Sequence, residues 1–426
     1  MSVRALGIFL LPALLVSAPH PLCARPSGWT PEIRLGYDYF SHSYELIDQD
    51  TTNTFSEGSL RLILGYRPPS TGDSPVEGQA EFFLGEDYWQ ARAEIESSAL
   101  SAGPWSWRGT LGGRRYRSGS SLSYSNDHVQ GEARVQYRRD LNSSAELRLT
   151  DRVYGIGYSE RTAYFYDSYL NDASLSLRIG DILARTLDVE VSHRNLFAPD
   201  SSLIGYVSEE VSGEVFWMSS PATLIGGSGR LEWRRYPAGS PRSNFLRAES
   251  DVLLDWSISD RVGLESALDV RAEWYESVDP IYRNARTYTA RIGPAVHLTD
   301  RWDLKILPGV ELYDVSHVED TAAVEEEWVY FQESYREALI EVTTDYMPLP
   351  RFWCDVSARV GHRRYEFPDG ALESDYWYLD LSLLAELMLA DGLRFDLTGL
   401  FSPEKHRNPE DNTATNVVSA WVGYQF

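Results

Sequence analysis

Arginines and carboxylates recur at every second position through much of this sequence. Glu132, Arg134 and Arg138 form one such series with Gln130 and Gln136; Glu146, Arg148 and Arg152 form the next around Thr150. Arg178, Glu190, Arg194, Arg234, Glu265, Asp269, Arg271, Asp355 and Arg359 continue the pattern further along. A spacing of two puts such side chains on one face of an extended chain. Guanidinium and carboxylate groups arrayed in this way do two things. They pair with each other across neighbouring strands, and they set a local field through which charged or hydroxyl-rich solutes move. Lys305 and Lys405 are the only lysines, so the basic groups are almost all rigid, permanently charged forks.

Other chemistry is poorly supplied. Catalysis at a membrane face by a lipase, deacylase or protease needs a nucleophile or activated water beside a positioned base. Of the histidines beyond residue 24, only His193 and His362 have the parity of the apolar face, and neither sits in a Ser-His pattern. Cys354 reads as a small apolar residue. The carboxylates of residues 317–333 (Glu319, Asp320, Glu325, Glu326 and Glu327) read as a solvated acidic loop rather than a Ca²⁺ site. The sequence predicts no enzyme, no metal and no cofactor.

The charged series alternate with apolar ones. Val129, Gly131, Ala133, Val135 and Tyr137 oppose the first series, and Ala145, Leu147, Leu149 and Val153 oppose the second, with Asp151 as the exception. Val262, Leu264, Leu268, Val270, Ala272 and Trp274 oppose Glu265, Asp269, Arg271 and Glu273. These are strands with one wholly apolar face, and a one-residue slip would exchange the two faces. Tight turns rich in Asp, Asn, Gly, Ser and Pro separate them, at residues 139–142, 180–183, 219–221, 259–261, 299–301, 347–351 and 390–392. The resulting period of about 40 residues is also that of propeller blades, but the strands are long and no blade motif recurs. On the apolar faces, Tyr137, Trp217, Trp256, Trp302, Tyr346 and Phe352 lie near the tight turns, and Trp233, Trp274, Trp377 and Phe401 lie at the opposite strand ends. Two aromatic belts at two interfaces suit a bilayer.

We count 20 strands, starting with a pair near Glu32–Phe40 and Phe55–Tyr66. The count falls to 18 if that pair or the hairpin at Gly78–Leu100 does not form. Residues 154–169 and 317–333 are the longest candidate loops for narrowing a lumen, and Ser402–Thr415 reads as a mobile solvated loop.

Composition agrees. The net charge of −24 argues against nucleic acid as a partner. The most apolar stretch after the N-terminus, Leu379–Ala390, is interrupted by Asp380 and Glu386 and cannot be a membrane helix. Arg4, the apolar run Ala5–Val16 and the small-residue site at Ala24 predict a secretory signal over residues 1–24. Pro19 disfavours cleavage after Ala18, and the Leu before Cys23 disfavours lipidation. Residues 25–426 read as one domain.

The last eleven residues alternate to the end of the chain, with Val418, Ala420, Val422, Tyr424 and Phe426 on one face. This segment resembles the closing strand of bacterial outer-membrane β-barrels, which end in Phe with a Tyr two residues earlier. The resemblance implies an all-β, antiparallel transmembrane barrel with short periplasmic turns and longer extracellular loops, in the outer membrane of a Gram-negative bacterium. It implies contact with outer-membrane lipid and a barrel assembly machinery that reads Val422, Tyr424 and Phe426 during insertion. The expected function is a porin-like conduit for polar or charged solutes, saccharides included. The alternatives are the translocation barrel of an exopolysaccharide secretion system and a non-conducting structural or assembly barrel.

Overall fold

The computed structural model describes residues 29–46, 49–66, 76–85, 88–97, 104–116, 126–160, 166–181, 185–199, 204–277, 282–316, 333–366, 375–390, 392–407 and 412–425, with side chains left out over 40–57. The predicted signal at 1–24, the acidic residues of 317–332 and Phe426 lie outside this set.

Twenty strands form one sheet. They are β1 (Trp29–Leu46), β2 (Gln49–Tyr66), β3 (Val76–Leu84), β4 (Tyr88–Ser97), β5 (Trp105–Tyr116), β6 (His128–Asn142) and β7 (Ala145–Tyr158). Next come β8 (Ser168–Asp181), β9 (Arg185–Phe197), β10 (Tyr206–Ser220), β11 (Thr223–Arg235), β12 (Phe245–Ser257), β13 (Val262–Tyr275) and β14 (Ala285–Thr299). β15 (Trp302–Val315), β16 (Tyr335–Leu349), β17 (Phe352–Tyr365), β18 (Tyr376–Ala390), β19 (Leu393–His406) and β20 (Thr413–Gln425) complete it. Each strand pairs antiparallel with the next, and β20 pairs with β1, with Val422 opposite Leu35 and Tyr424 opposite Ile33. The sheet therefore has no free edge, which is what a strand wall in lipid requires. The count is 20, not 18, because both doubtful hairpins form.

The two faces separate as the alternation predicts. Large apolar side chains such as Val129, Val135, Leu149, Val191, Val252, Leu268 and Val360 are exposed on the outside. The ion pairs lie on the other face, so the inside is polar and the hydrophobic surface looks outward, as in a transmembrane barrel. Trp217, Trp256, Trp302 and Tyr346 ring the outer wall near its lower rim, where both ends of the described chain lie, and Trp233, Trp274 and Trp377 ring it near the upper rim.

Two expectations about loops change. Tyr154–Tyr158 belong to β7 and Ser402–His406 to β19, so only residues 159–167 and 407–412 connect these strands. Strands of 13–15 residues rise roughly 33–38 Å at a tilt of about 40°, taller than an apolar band of about 25 Å. Above that band the outer face needs no apolar residues, and the sequence there reads as loop. The N-terminal third also inverts the turn rule. Two residues separate the upper ends of β1 and β2 and three those of β3 and β4, whereas nine separate the lower ends of β2 and β3 and seven those of β4 and β5.

Candidate functional site in the barrel lumen

The inner wall carries the arginines and carboxylates singled out above. Most sit in ion pairs between adjacent strands. Arg152 reaches Glu132 at 2.9 Å, Arg178 reaches Asp188 at 2.8 Å and Arg194 reaches Asp172 at 3.1 Å. Arg138 and Arg148 share Glu146, at 2.8 and 2.9 Å. Lys305 holds Glu265 at 2.6 Å across one intervening strand. Arg291 does the same between Asp269 and Glu341, both at 2.9 Å. It can cross β15 because Gly309 lies beneath it: a Cβ there would collide with the Arg291 side chain and the Ala290 carbonyl. Glu190 has the same inward parity.

Two carboxylates are withdrawn from solvent altogether. Glu232 has 0% of its side chain exposed and receives hydrogen bonds from Ser208 at 2.9 Å and Arg234 at 2.6 Å, with Arg230 and Arg247 close by. Glu337, also at 0%, joins Arg359 and Arg363, each at 2.8 Å, and accepts a hydrogen bond from the Tyr378 hydroxyl. Arg271 belongs to the first group through Glu273 at 2.7 Å, a carboxylate that it shares with Arg247. Buried charges need such surroundings, since an unpaired one would cost several kcal/mol.

Above these clusters stands a collar of aromatic rings that the sequence reading missed. Tyr313, Tyr335, Tyr365, Tyr376 and Tyr378 face inward at the upper ends of β15–β18, and Tyr206, Phe245 and Tyr275 do so on β10, β12 and β13. Tyr335 stacks on Tyr313 at 5.0 Å, and Tyr376 stacks on His406 at 4.5 Å. Arginines cover the rings: Arg363 lies 3.9 Å from the Tyr335 centroid, Arg234 4.2 Å from Tyr206 and Arg114 4.4 Å from Tyr88. Tyr378 lies flat over Gly361, where any Cβ would meet its ring. The available signal was parity: these aromatics fall on the charged face, whereas the belt aromatics fall on the apolar one. Stacked rings beside guanidinium and carboxylate groups suit solutes with both a flat apolar face and a rim of hydroxyls.

Lower in the lumen, like charges meet. Arg108, Arg134 and Arg152 stand side by side in one row across β5–β7, and Arg138 stands opposite Arg148 below them. Asp303, Asp345 and Asp355 form a row across β15–β17. The two rows are centred ten strands apart in a ring of 20, so they occupy opposite walls. Twenty strands about 4.8 Å apart and tilted by about 40° enclose a lumen roughly 40 Å across between backbones. That exceeds the Debye length of about 8–10 Å, so each wall acts on solutes near it rather than as half of one transverse field.

On the outer wall, Asp151 accepts a hydrogen bond from Asn171 at 2.8 Å, and His193 contacts Glu209 at 2.9 Å. His362 stacks on Trp377 at 4.4 Å, as an interface aromatic would. Cys354 is a free, partly buried thiol on the apolar face.

No protein-family model matches the chain, and no curated protein matches it in sequence. Solved structures do match in fold. The siderophore receptor PirA from Pseudomonas aeruginosa aligns over 92% of this chain and 80% of its own, at 10% identity and a TM-score of 0.56. The FrpB iron transporter from Neisseria meningitidis covers 95% of this chain and 82% of its own, at 10% identity and a TM-score of 0.55. The ferric yersiniabactin uptake receptor FyuA from Yersinia pestis covers 94% and 80%, at 8% identity and a TM-score of 0.50. Identities this low show a shared architecture and nothing finer. In fold, the chain is a closed, 20-stranded antiparallel β-barrel with an apolar outside, similar to the barrels of these receptors and this transporter.

Proposed function

We propose that this protein is an outer-membrane channel, porin-like in character, that passes polar or charged solutes, saccharides among them. The observation that carries the reading is the inner wall. Around its upper mouth aromatic rings and guanidinium groups are interleaved, and they face the lumen as well as holding Glu232 and Glu337. The two together suit the apolar ring faces and hydroxyl edges of sugars. The fold neighbours named as a receptor for siderophores and as an iron transporter agree with transport as the general role. Residues 1–24 would direct export and be removed. Val422, Tyr424 and Phe426 would be read by the assembly machinery, and outer-membrane lipid would surround the apolar band.

The solute-lining residues on this reading are Arg134, Arg138, Arg148, Arg152, Arg178, Arg194, Arg234, Arg271 and Arg359, with Glu132, Glu146, Glu190, Glu265, Asp269 and Asp355. The aromatic collar also favours a second reading, the translocation barrel of an exopolysaccharide secretion system. Current through the purified protein in a planar bilayer tests the first reading. Interruption of that current by short oligosaccharides supports solute passage; interruption only by long polysaccharide supports polymer translocation.

A further inference from the structure

We infer that the arginine rows of β5–β7 form a discrete oxyanion-binding subsite in the lumen, which takes the carboxylate or phosphate group of a passing solute. This rests on reading the lumen as a solute path. The rows border a cavity of about 850 Å³. Four inward-facing arginines line it (Arg108, Arg134, Arg138 and Arg148) against two carboxylates, Glu96 and Asp140, with Arg139 at its rim on the parity of the outer face.

The arrangement departs from the rest of the wall. Around Glu232 and Glu337 the arginines converge on a buried carboxylate. Here the central position is itself an arginine. Arg134 stands between Arg108 and Arg152 in register, and it makes no ion pair or side-chain hydrogen bond among the described residues. Its neighbours are only partly satisfied. Arg108 is paired to Glu94 at 2.7 Å and Arg148 to Glu146 at 2.9 Å, and the buried Nε atoms of Arg108, Arg148 and Arg152 have no hydrogen-bond acceptor, a feature they share with Arg230, Arg291 and Arg359 elsewhere in the wall. Like charges directly opposite each other destabilise a sheet. Three such pairs (Arg108 with Arg134, Arg134 with Arg152, Arg138 with Arg148), the first and third wholly within the cavity lining, are a cost that an oxyanion would offset. Carboxylate and phosphate oxygens match the guanidinium fork in geometry as well as charge.

Isothermal titration calorimetry of the detergent-purified barrel tests this, with inorganic phosphate, succinate and uncharged sucrose as probes. Saturable binding of phosphate or succinate is expected, weakening as salt rises, whereas any sucrose signal should be insensitive to salt and to Arg134→Gln. The stronger of the two identifies the solute class as phosphate ester or carboxylate. Arg134→Gln should weaken binding at least tenfold, and Arg134→Lys should retain part of it. Because Arg134 supports no ion pair, the Gln variant should fold, which heat-modifiable migration on gels verifies. Absence of saturable oxyanion binding by the wild type, or unchanged binding by folded Arg134→Gln, would overturn the subsite. Calorimetry needs no open pore. Binding without conductance sinks the channel and keeps the subsite, whereas conductance without binding does the reverse.

Discussion

Glu337 and Glu232 are the most constrained charges in the wall, each wholly buried and each held by arginines from neighbouring positions. Replacing a buried ion pair by apolar groups can be neutral, but removing one partner leaves the other charge stranded. Glu337→Gln leaves Arg359 and Arg363 facing each other without their shared anion. We expect it to destabilise the barrel by about 3–5 kcal/mol, seen as a lower urea midpoint for loss of the heat-modifiable form; an unchanged midpoint would contradict the assigned role. Asp151 presents the reverse case. It points outward at mid-strand, away from the ion-paired wall, with Asn171 as its hydrogen-bond partner. A polar group facing hydrocarbon is a cost, smaller for Asp than the roughly 2–4 kcal/mol of Arg or Lys at the midplane. Asp151→Leu should therefore stabilise the barrel in lipid, on the order of 1 kcal/mol, by the same assay. A loss of stability would show that Asp151 meets something other than lipid.

At the scale of the strand, alternation carries most of the information. The series Val129–Tyr137 against Gln130–Arg138 fixes both register and facing, because a slip of one residue would put Glu132 and Arg134 into lipid. The ends of the strands were harder to read. Ser402–His406 continues β19 above the membrane, where no apolar alternation is required, so it resembled a loop. The aromatic collar was missed for a related reason. A tyrosine near a strand end looks like a belt residue until its parity is followed, and Tyr335 and Tyr376 fall on the charged face. Contacts such as Arg291 with Glu341 join strands two apart and depend on Gly309 lying flat between them; no local pattern encodes that. The closing seam, by contrast, was legible: β20 pairs with β1 along Glu32–Tyr44. On the proposed reading of Val422, Tyr424 and Phe426 as an assembly signal, Phe426 should matter for insertion. Deleting Phe426 should reduce the amount of folded barrel recovered from outer membranes several-fold. Wild-type recovery would argue against a C-terminal assembly signal.

The whole molecule is a wall with two surfaces of opposite chemistry. Its outside is apolar between two aromatic rings. Its inside is graded, with stacked tyrosines and arginines above, two buried carboxylates below them, and facing rows of arginine and aspartate lower still. A lumen roughly 40 Å across between backbones is wide enough for an aqueous path once inward side chains are allowed for. Over such a width, selectivity comes from local contact with one wall, because salt screens the far side. The passive polar conduit proposed above rests on this organisation. The most direct test is single-channel recording of the purified, folded protein in a planar lipid bilayer. Discrete, stable current steps at neutral pH are predicted, with reversible interruptions on adding short oligosaccharides. A folded barrel that inserts and stays electrically silent would contradict the account.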